Sequence, residues 1–317
     1  MLTTDLNTAG ADASNTALLP INAVERETGI SKELLRMWER RYGFPNPERD
    51  ANGDRIYAPD QINKLRIIRR LLDSGFRPGK IIGLELDKLE ALVASSHGNP
   101  GPSLPPNLES ELLEALKSRD AMQVRAYLHH QLVRMGLESF ILDLVQHANT
   151  LVGDAWMRGE IEIFEEHLYT EELQTLVRQS FSTLQPGKQP PRVMLTTAPD
   201  EHHSLGLLMV EALLRLERIE TFSFGTQMPV RDIVQGAARH RMDIVLLSFS
   251  AAFPANRALD FIEELRFRLP LATSIWVGGN ALRTCRRTIE GVQVFHDLAS
   301  VIKAVKGWRR IRGVQAA

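Results

Sequence analysis

The run Val193–Gly206, VMLTTAPDEHHSLG, moves from apolar and β-branched residues through a proline-containing turn into the opening of a helix. A short apolar run bounded in this way reads as a buried strand that delivers its loop onto a helix. The runs Thr221–Phe224, Ile244–Phe249, Ser274–Val277 and Val292–Phe295 repeat the pattern, each followed by a helical segment. Strands alternating with helices predict a doubly wound, flavodoxin-like parallel sheet over residues 188–317, covered on both faces. Ligands of such a sheet sit outside the carboxyl ends of its strands, where the loop APDEHHSLG belongs.

Upstream, PGKQPP (Pro186–Pro191) reads as a linker. The stretch before it, about Asn107 to Gln185, is helical throughout. Apolar residues recur at three- and four-residue spacing in Leu112, Leu113, Leu116, then Phe140, Ile141, Leu144, Val145, then Leu173, Leu176, Val177. Several amphipathic helices with short connections predict an antiparallel four-helix bundle over residues 107–187. HGNPGPSLPP (His97–Pro106) breaks any helix, so residues 91–106 read as a second linker.

Residues 18–90 have a third character, with short helices and many arginines. INAVERETGI ends on a glycine turn, Ser31 is a good N-cap, and SKELLRMWERRYG closes at Gly43. Two short helices joined in this way make a helix-turn-helix. Lys32, Arg36 and Arg40 are four residues apart on the second helix and share a face that can reach guanine edges or phosphates. Trp38 and Arg41 join them as candidates. Asn52-Gly53 is a hairpin signal, flanked by Arg49, Arg55 and Tyr57, and predicts a small β-wing. Taken alone, a basic helix beside a hairpin is equally well a solvated amphipathic surface.

Composition bounds the rest. The 317 residues carry a formal net charge of −1, which excludes a uniformly basic nucleic-acid coat but not a local basic module. Between Glu25 and Lys80 there are 13 Lys/Arg against 9 Asp/Glu, concentrated on one helix and one wing. The single cysteine, Cys285, excludes an intrachain disulfide and a multi-cysteine zinc site. Residues 1–17 lack a positive start and an apolar core, so they are expected to be a disordered leader rather than a signal peptide. No apolar run reaches membrane-spanning length. The expectation is a cytoplasmic protein.

The order of parts in Leu35–Phe76, LRMWERRYGFPNPERDANGDRIYAPDQINKLRIIRRLLDSGF, resembles the DNA-binding domain of the MerR family. That resemblance implies a winged helix-turn-helix at residues 18–90, a double-stranded, palindromic operator and a homo-oligomeric regulator, dimer or tetramer. The family's long dimerising coiled coil is not evident, because the proline-rich linker interrupts.

In the C-terminal region, Glu201-x-His203-x-x-Gly206 lies on the loop leaving the first strand, and Ser248-Phe249-Ser250 and Gly278-Gly279 lie at later strand ends. One imidazole nitrogen can bind a metal while an adjacent carboxylate orients the other. Small residues at strand ends open a slot. Singly, a histidine at a strand end is more often structural and a Gly-Gly pair is usually a turn. Together they resemble the pattern of cobalamin-binding domains. By that resemblance His203 is the lower cobalt ligand and Glu201 its carboxylate partner, Ser248, Ser250, Gly278 and Gly279 take the displaced nucleotide tail, and Gly206 permits close approach of the bulky ligand.

Trp156, nine residues, then Glu166-His167 would by composition be a core tryptophan and a solvated turn. Their spacing resembles the bundle of the CarH/LitR light-sensing regulators, and bundle plus sheet resemble the cobalamin module of methionine synthase. The resemblance implies that Trp156, Glu166 and His167 cover the upper face of adenosylcobalamin (methylcobalamin being the other candidate). Some of those regulators carry a histidine directly after the tryptophan, which takes cobalt from above after photolysis. Here that upper-face position is Met157, where a thioether serves less well, so water or a distant histidine such as His147 is expected to take the upper site after light.

The leading expectation is a non-enzymatic, cobalamin-controlled transcription regulator, a repressor responsive to light. Two alternatives compete with it: a MerR-type regulator whose C-terminal fold only oligomerises or binds protein, and a corrinoid methyl carrier. The N-terminal module argues against the carrier, and the intact histidine and tryptophan elements argue against loss of the cofactor.

Overall fold

The computed structural model describes residues 18–73, 76–96, 105–118, 120–182, 184, 187–250, 253–283 and 288–313. The expected leader, residues 97–104 of the expected linker and Cys285 lie outside the described residues.

The N-terminal module runs β1 (Leu19–Pro20), α1 (Ile21–Thr28), α2 (Lys32–Tyr42), β2 (Glu48–Arg49), β3 (Arg55–Tyr57), α3 (Pro59–Asp73), α4 (Pro78–Ile81) and α5 (Leu86–Ser96). Its strands form an antiparallel sheet in the order β1-β3-β2, in which the β2–β3 hairpin is the expected wing and β1 is an added strand. Val24, Leu35, Trp38, Leu65 and Ile68 build its core. The expected boundary at residue 90 is too early. Leu89 and Val93, one helical turn apart on α5, are buried in this core, so the module includes α5.

The bundle comprises α6 (Pro106–Leu116), α7 (Met122–Met135), α8 (Leu137–Ser139), a π-helical stretch Phe140–Val145, α9 (Gln146–Met157) and α10 (Ile163–Ser182). The π-helical stretch has no simple sequence signal and breaks what periodicity reads as one helix.

The C-terminal domain alternates β4 (Gln189–Thr196), α11 (Leu205–Leu216), β5 (Ile219–Ser223), α12 (Val230–Arg239), β6 (Ile244–Ser248), α13 (Ala255–Arg268), β7 (Ser274–Gly278), β8 (Val292–Val294) and α14 (Leu298–Ile311). All pairings in this sheet are parallel, in the order β5-β4-β6-β7-β8. The first strand lies between the second and third, so the chain reverses direction of winding between β4 and β6. That reversal opens the crevice at which such sheets bind ligands. The expected linker Pro186–Pro191 is corrected here, since Gln189, Pro190 and Pro191 begin β4. A register shift between Gln189 and Arg192 accommodates prolines that cannot donate to the ladder.

Helix α11 is buried on most of its circumference, because it lies between the sheet and the bundle. One apolar core runs from Leu112, Phe140 and Leu173 of the bundle through Leu208 of α11 to Leu195 and Leu246 of the sheet. The sheet's opposite face packs separately on α12 and α13. No helix among the described residues is long and apolar enough to cross a membrane.

Candidate functional site

In the N-terminal module the Ser31 hydroxyl accepts from the Leu34 backbone N–H at 3.3 Å and starts α2. Gly43 ends it in the left-handed conformation at φ 70°, which a β-carbon would disfavour. Leu35 and Trp38, three residues apart, point into the core, and this turns Arg36, Arg40 and Arg41 to solvent. Lys32 lies on the same outer face but reaches Glu25 at 3.4 Å. In the wing, the Arg49 guanidinium donates to the Gly53 carbonyl at 2.7 Å, and the Asp50 carboxylate accepts from the backbone of Asn52 and Asp54.

Three expected DNA-facing residues have other positions. Trp38 is 1% exposed and Tyr57 is fully buried, so both are core residues rather than surface contacts. The sequence pattern missed this because an aromatic at i+3 from Leu35 falls on the inner stripe of α2. Arg55 donates to both oxygens of Glu39, at 2.8 and 3.4 Å, and so pins the wing to α2. The hydrogen bond to Glu39 outweighs burial and raises the Arg55 pKa.

At the crevice between β4 and β6, Glu201 is 1% exposed and fully engaged. Its Oε1 accepts from the His203 backbone N–H at 3.0 Å and lies 2.7 Å from His203 Nδ1. Its Oε2 accepts from the backbone N–H and the hydroxyl of Ser250, at 2.7 and 2.8 Å. Burial alone would raise this carboxyl's pKa, but the bonds from His203 and Ser250 together win and hold it below the ordinary carboxylate value. A buried, ionised carboxylate on Nδ1 fixes the imidazole so that Nε2 faces the other way, on a side chain 60% exposed. The partner of Glu201 is His203; His202, also exposed, makes no such contact among the described residues.

The loop carrying this pair is braced from below. The buried Thr197 hydroxyl donates to the Glu201 carbonyl at 2.6 Å and accepts from the Gln227 N–H at 2.8 Å. Thr197 was not among the expected site residues, and its signal in sequence, a second threonine ending a strand, is weak.

The small residues let neighbouring strand ends approach closely. A β-carbon on Gly206 would come within 2.9 Å of the Ser248 hydroxyl oxygen. Ser248 pairs with Gly278 in the β6–β7 ladder. Gly279, at φ 99°, lies where a β-carbon would be 2.1 Å from the Phe249 carbonyl, so only glycine permits that approach. Gly278 has open space where a side chain would be.

On the bundle, Trp156 packs against the shared core and its indole N–H is buried without a hydrogen-bond partner. The Glu166 carboxylate lies 2.6 Å from His167 Nδ1 and accepts from the Thr170 hydroxyl at 3.0 Å. His167 is exposed. Eight residues along α10, about two turns, Gln174 accepts from the Ser204 hydroxyl at 3.3 Å. Helix α10 thus runs from the Glu166-His167 pair to the residue directly after His203. Met157 is corrected. It is 8% exposed and belongs to the core of the N-terminal module, not to an upper face.

With Glu201 on Nδ1 and most of its side chain exposed, His203 has the geometry of an imidazole that can ligate a metal through Nε2. Residues 19–87 match the MerR HTH family regulatory protein description, and residues 108–179 and 191–303 each match a B12 binding domain. The chain is 27% identical to the HTH-type transcriptional repressor CarH of Myxococcus xanthus over 92% of this chain and 97% of that one. It is 25% identical to the HTH-type transcriptional repressor CarA of the same organism, over 94% and 98%. Among solved structures, the Methanosarcina barkeri monomethylamine corrinoid protein is a distant likeness, with 15% identity and a TM-score of 0.49 over 63% of this chain and 96% of that one.

Proposed function

We propose that this chain, a DNA-binding regulator with a MerR-type module and two B12-binding modules, is an adenosylcobalamin-dependent, light-responsive repressor. It is a regulator rather than an enzyme, as its CarH and CarA relatives are repressors over nearly their whole length. The observation that carries the reading is the Glu201–His203 pair at the β4/β6 crevice, in a chain that begins with a helix-wing module.

In this reading His203 presents Nε2 to the cobalt, and Glu201 holds the ring and its tautomer. Gly206, Ser248, Ser250, Gly278 and Gly279 admit the nucleotide tail beside β6 and β7. Trp156 covers the upper side by area and stacking, while Glu166 and His167 supply polar contacts to the upper group. Adenosylcobalamin, when bound, supplies a cobalt–carbon bond that light breaks. Arg36, Arg40 and Arg41 read the major groove, and Arg49 positions the wing on phosphates. The active species is a cytoplasmic homo-oligomer on a palindromic operator, since joining several weak DNA modules raises affinity through effective concentration.

The test is an absorption titration of the purified protein with adenosylcobalamin in the dark. Wild type is expected to give a spectrum with histidine as lower ligand, and His203→Ala to lose it while His202→Ala keeps it. An unchanged spectrum in wild type leaves only an oligomerising C-terminal fold, and loss in His202→Ala instead moves the ligand by one residue.

A further inference from the structure

The DNA-reading module and the cap of the proposed cofactor site share a built interface. Helix α3 of the N-terminal module lies along the end of α9. Arg66 and Arg70, four residues apart on α3, face it together. The Arg66 guanidinium donates to Glu27 of its own module at 3.2 Å and to Glu162 of the bundle at 3.3 Å. Arg66 is buried, so its charge depends on these carboxylate contacts for compensation. Arg70 donates to Asp154 at 2.7 Å.

The backbone is shaped to receive both. A β-carbon on Gly153 would stand 2.0 Å from an Arg70 guanidinium nitrogen, and one on Gly159 would stand 3.2 Å from a guanidinium nitrogen of Arg66. Between these glycines lie Asp154, Trp156 and Met157. Met157 enters the apolar core of the N-terminal module, while Trp156, next to it, packs on the bundle core. The contact leaves the outer face of α2 exposed, so it sets the orientation of the DNA-reading surface without covering it.

We infer that the α3–α9 contact, centred on Arg66, Arg70, Asp154, Glu162 and Met157, is a coupling joint that transmits the state of the cofactor site at Trp156 to the DNA-binding module of the same chain. The inference rests on the reading of Trp156 as the cap of that site. A change in what Trp156 packs against rotates or shifts the end of α9. Met157 and Asp154 then carry the shift into α3, with no rearrangement of the linker required. Arg66, Arg70, Asp154 and Met157 are positioning residues; none touches DNA or the proposed ligand.

The experiment measures operator affinity with and without adenosylcobalamin in the dark, on full-length protein, using a DNA duplex selected from a random pool by wild type. The variants are Arg70→Asp, the swap Arg70→Asp with Asp154→Arg, and Met157→Ala. Cobalamin binding is read separately by absorption, and folding by circular dichroism. Allosteric couplings run roughly 5–150-fold. The with/without affinity ratio is expected to fall to within about twofold of unity in Arg70→Asp and Met157→Ala, and to return in the charge swap. Cobalamin absorption is expected to stay as in wild type. A ratio unchanged in both single variants overturns the joint and assigns the coupling to assembly between chains. No cobalamin spectrum in wild type overturns the functional reading instead, so the two failures are told apart.

Discussion

Trp156 and Met157 are adjacent in sequence and lie in different cores, the indole against the bundle and the thioether inside the N-terminal module. Consecutive residues on a helix point about 100° apart, so the end of α9 can serve two partners at once. This arrangement replaces the expectation that Met157 faces an upper ligand.

Substituting Met157 should therefore act on stability rather than on photochemistry. Met157→Ala is expected to cost about 2–5 kcal/mol in the N-terminal module, the range for truncating a buried methionine. Met157→His buries an imidazole without a partner and should also destabilise, by about 1–3 kcal/mol. Thermal unfolding followed by circular dichroism measures both. A two-histidine cobalamin spectrum gained on illuminating Met157→His would falsify the burial argument.

Glu201→Gln keeps the shape of the carboxylate and removes its charge. Loss of such an orienting partner typically weakens metal affinity by 10–100-fold, and about that loss of adenosylcobalamin affinity is expected with the fold retained. The pH dependence has a definite sign. Because folding lowers the Glu201 pKa, its stabilising contribution is complete above the ordinary value of 4.5 and is lost only as pH falls below it. The stability advantage of wild type over Ser250→Ala, which lacks one of these bonds, should therefore be full above about pH 4.5 and shrink as pH falls, as chemical denaturation at a series of pH values would read.

On the DNA side, Arg36→Ala should weaken specific binding by about 1–3 kcal/mol and relax preference at one base position. Arg55→Ala should differ in kind. Its guanidinium is held by Glu39, so a double-mutant cycle with Glu39→Ala should return a folding coupling of about 0.5–3 kcal/mol. Zero coupling in that cycle, with a reduced salt slope of binding, would return Arg55 to the phosphate-contacting set.

Gly206→Val tests the slot. Its β-carbon would meet the Ser248 oxygen at 2.9 Å, so the Ser248 side chain must move toward the proposed tail site. Adenosylcobalamin affinity should drop by at least tenfold, about 1.4 kcal/mol, measured beside the melting temperature to separate this loss from that of the fold. Adding Ser248→Ala should recover part of the loss; no loss in Gly206→Val alone would place the tail elsewhere.

The five strands of the C-terminal sheet were legible because each is a short apolar run followed by a helical pattern, a signal that does not depend on distant contacts. The Glu201–His203 pairing was legible for a similar reason, since two residues of separation at a strand end leave few geometries. What was hidden depended on tertiary packing. Trp38 and Tyr57 look like surface aromatics in an arginine-rich stretch, and only the inward stripe of Leu35 and the pairing of β1, β2 and β3 bury them. Helix α5 was divided because the prolines after it drew the boundary too early. Nothing local reveals that Arg66 and Arg70 meet Glu162 and Asp154, some ninety residues on.

The core that passes from Leu112 and Phe140 through Leu208 to Leu246 has a thermodynamic consequence. By sequence the chain has three parts, but a helix bundle and a sheet that bury the same side chains cannot melt one without exposing the other. The bundle and the sheet should unfold as one cooperative block, while the N-terminal module, whose core among the described residues takes in Met157 alone from the bundle, supplies a second. Calorimetry would then count two transitions where the sequence counts three domains, and any molecule gripped between bundle and sheet would raise the larger one.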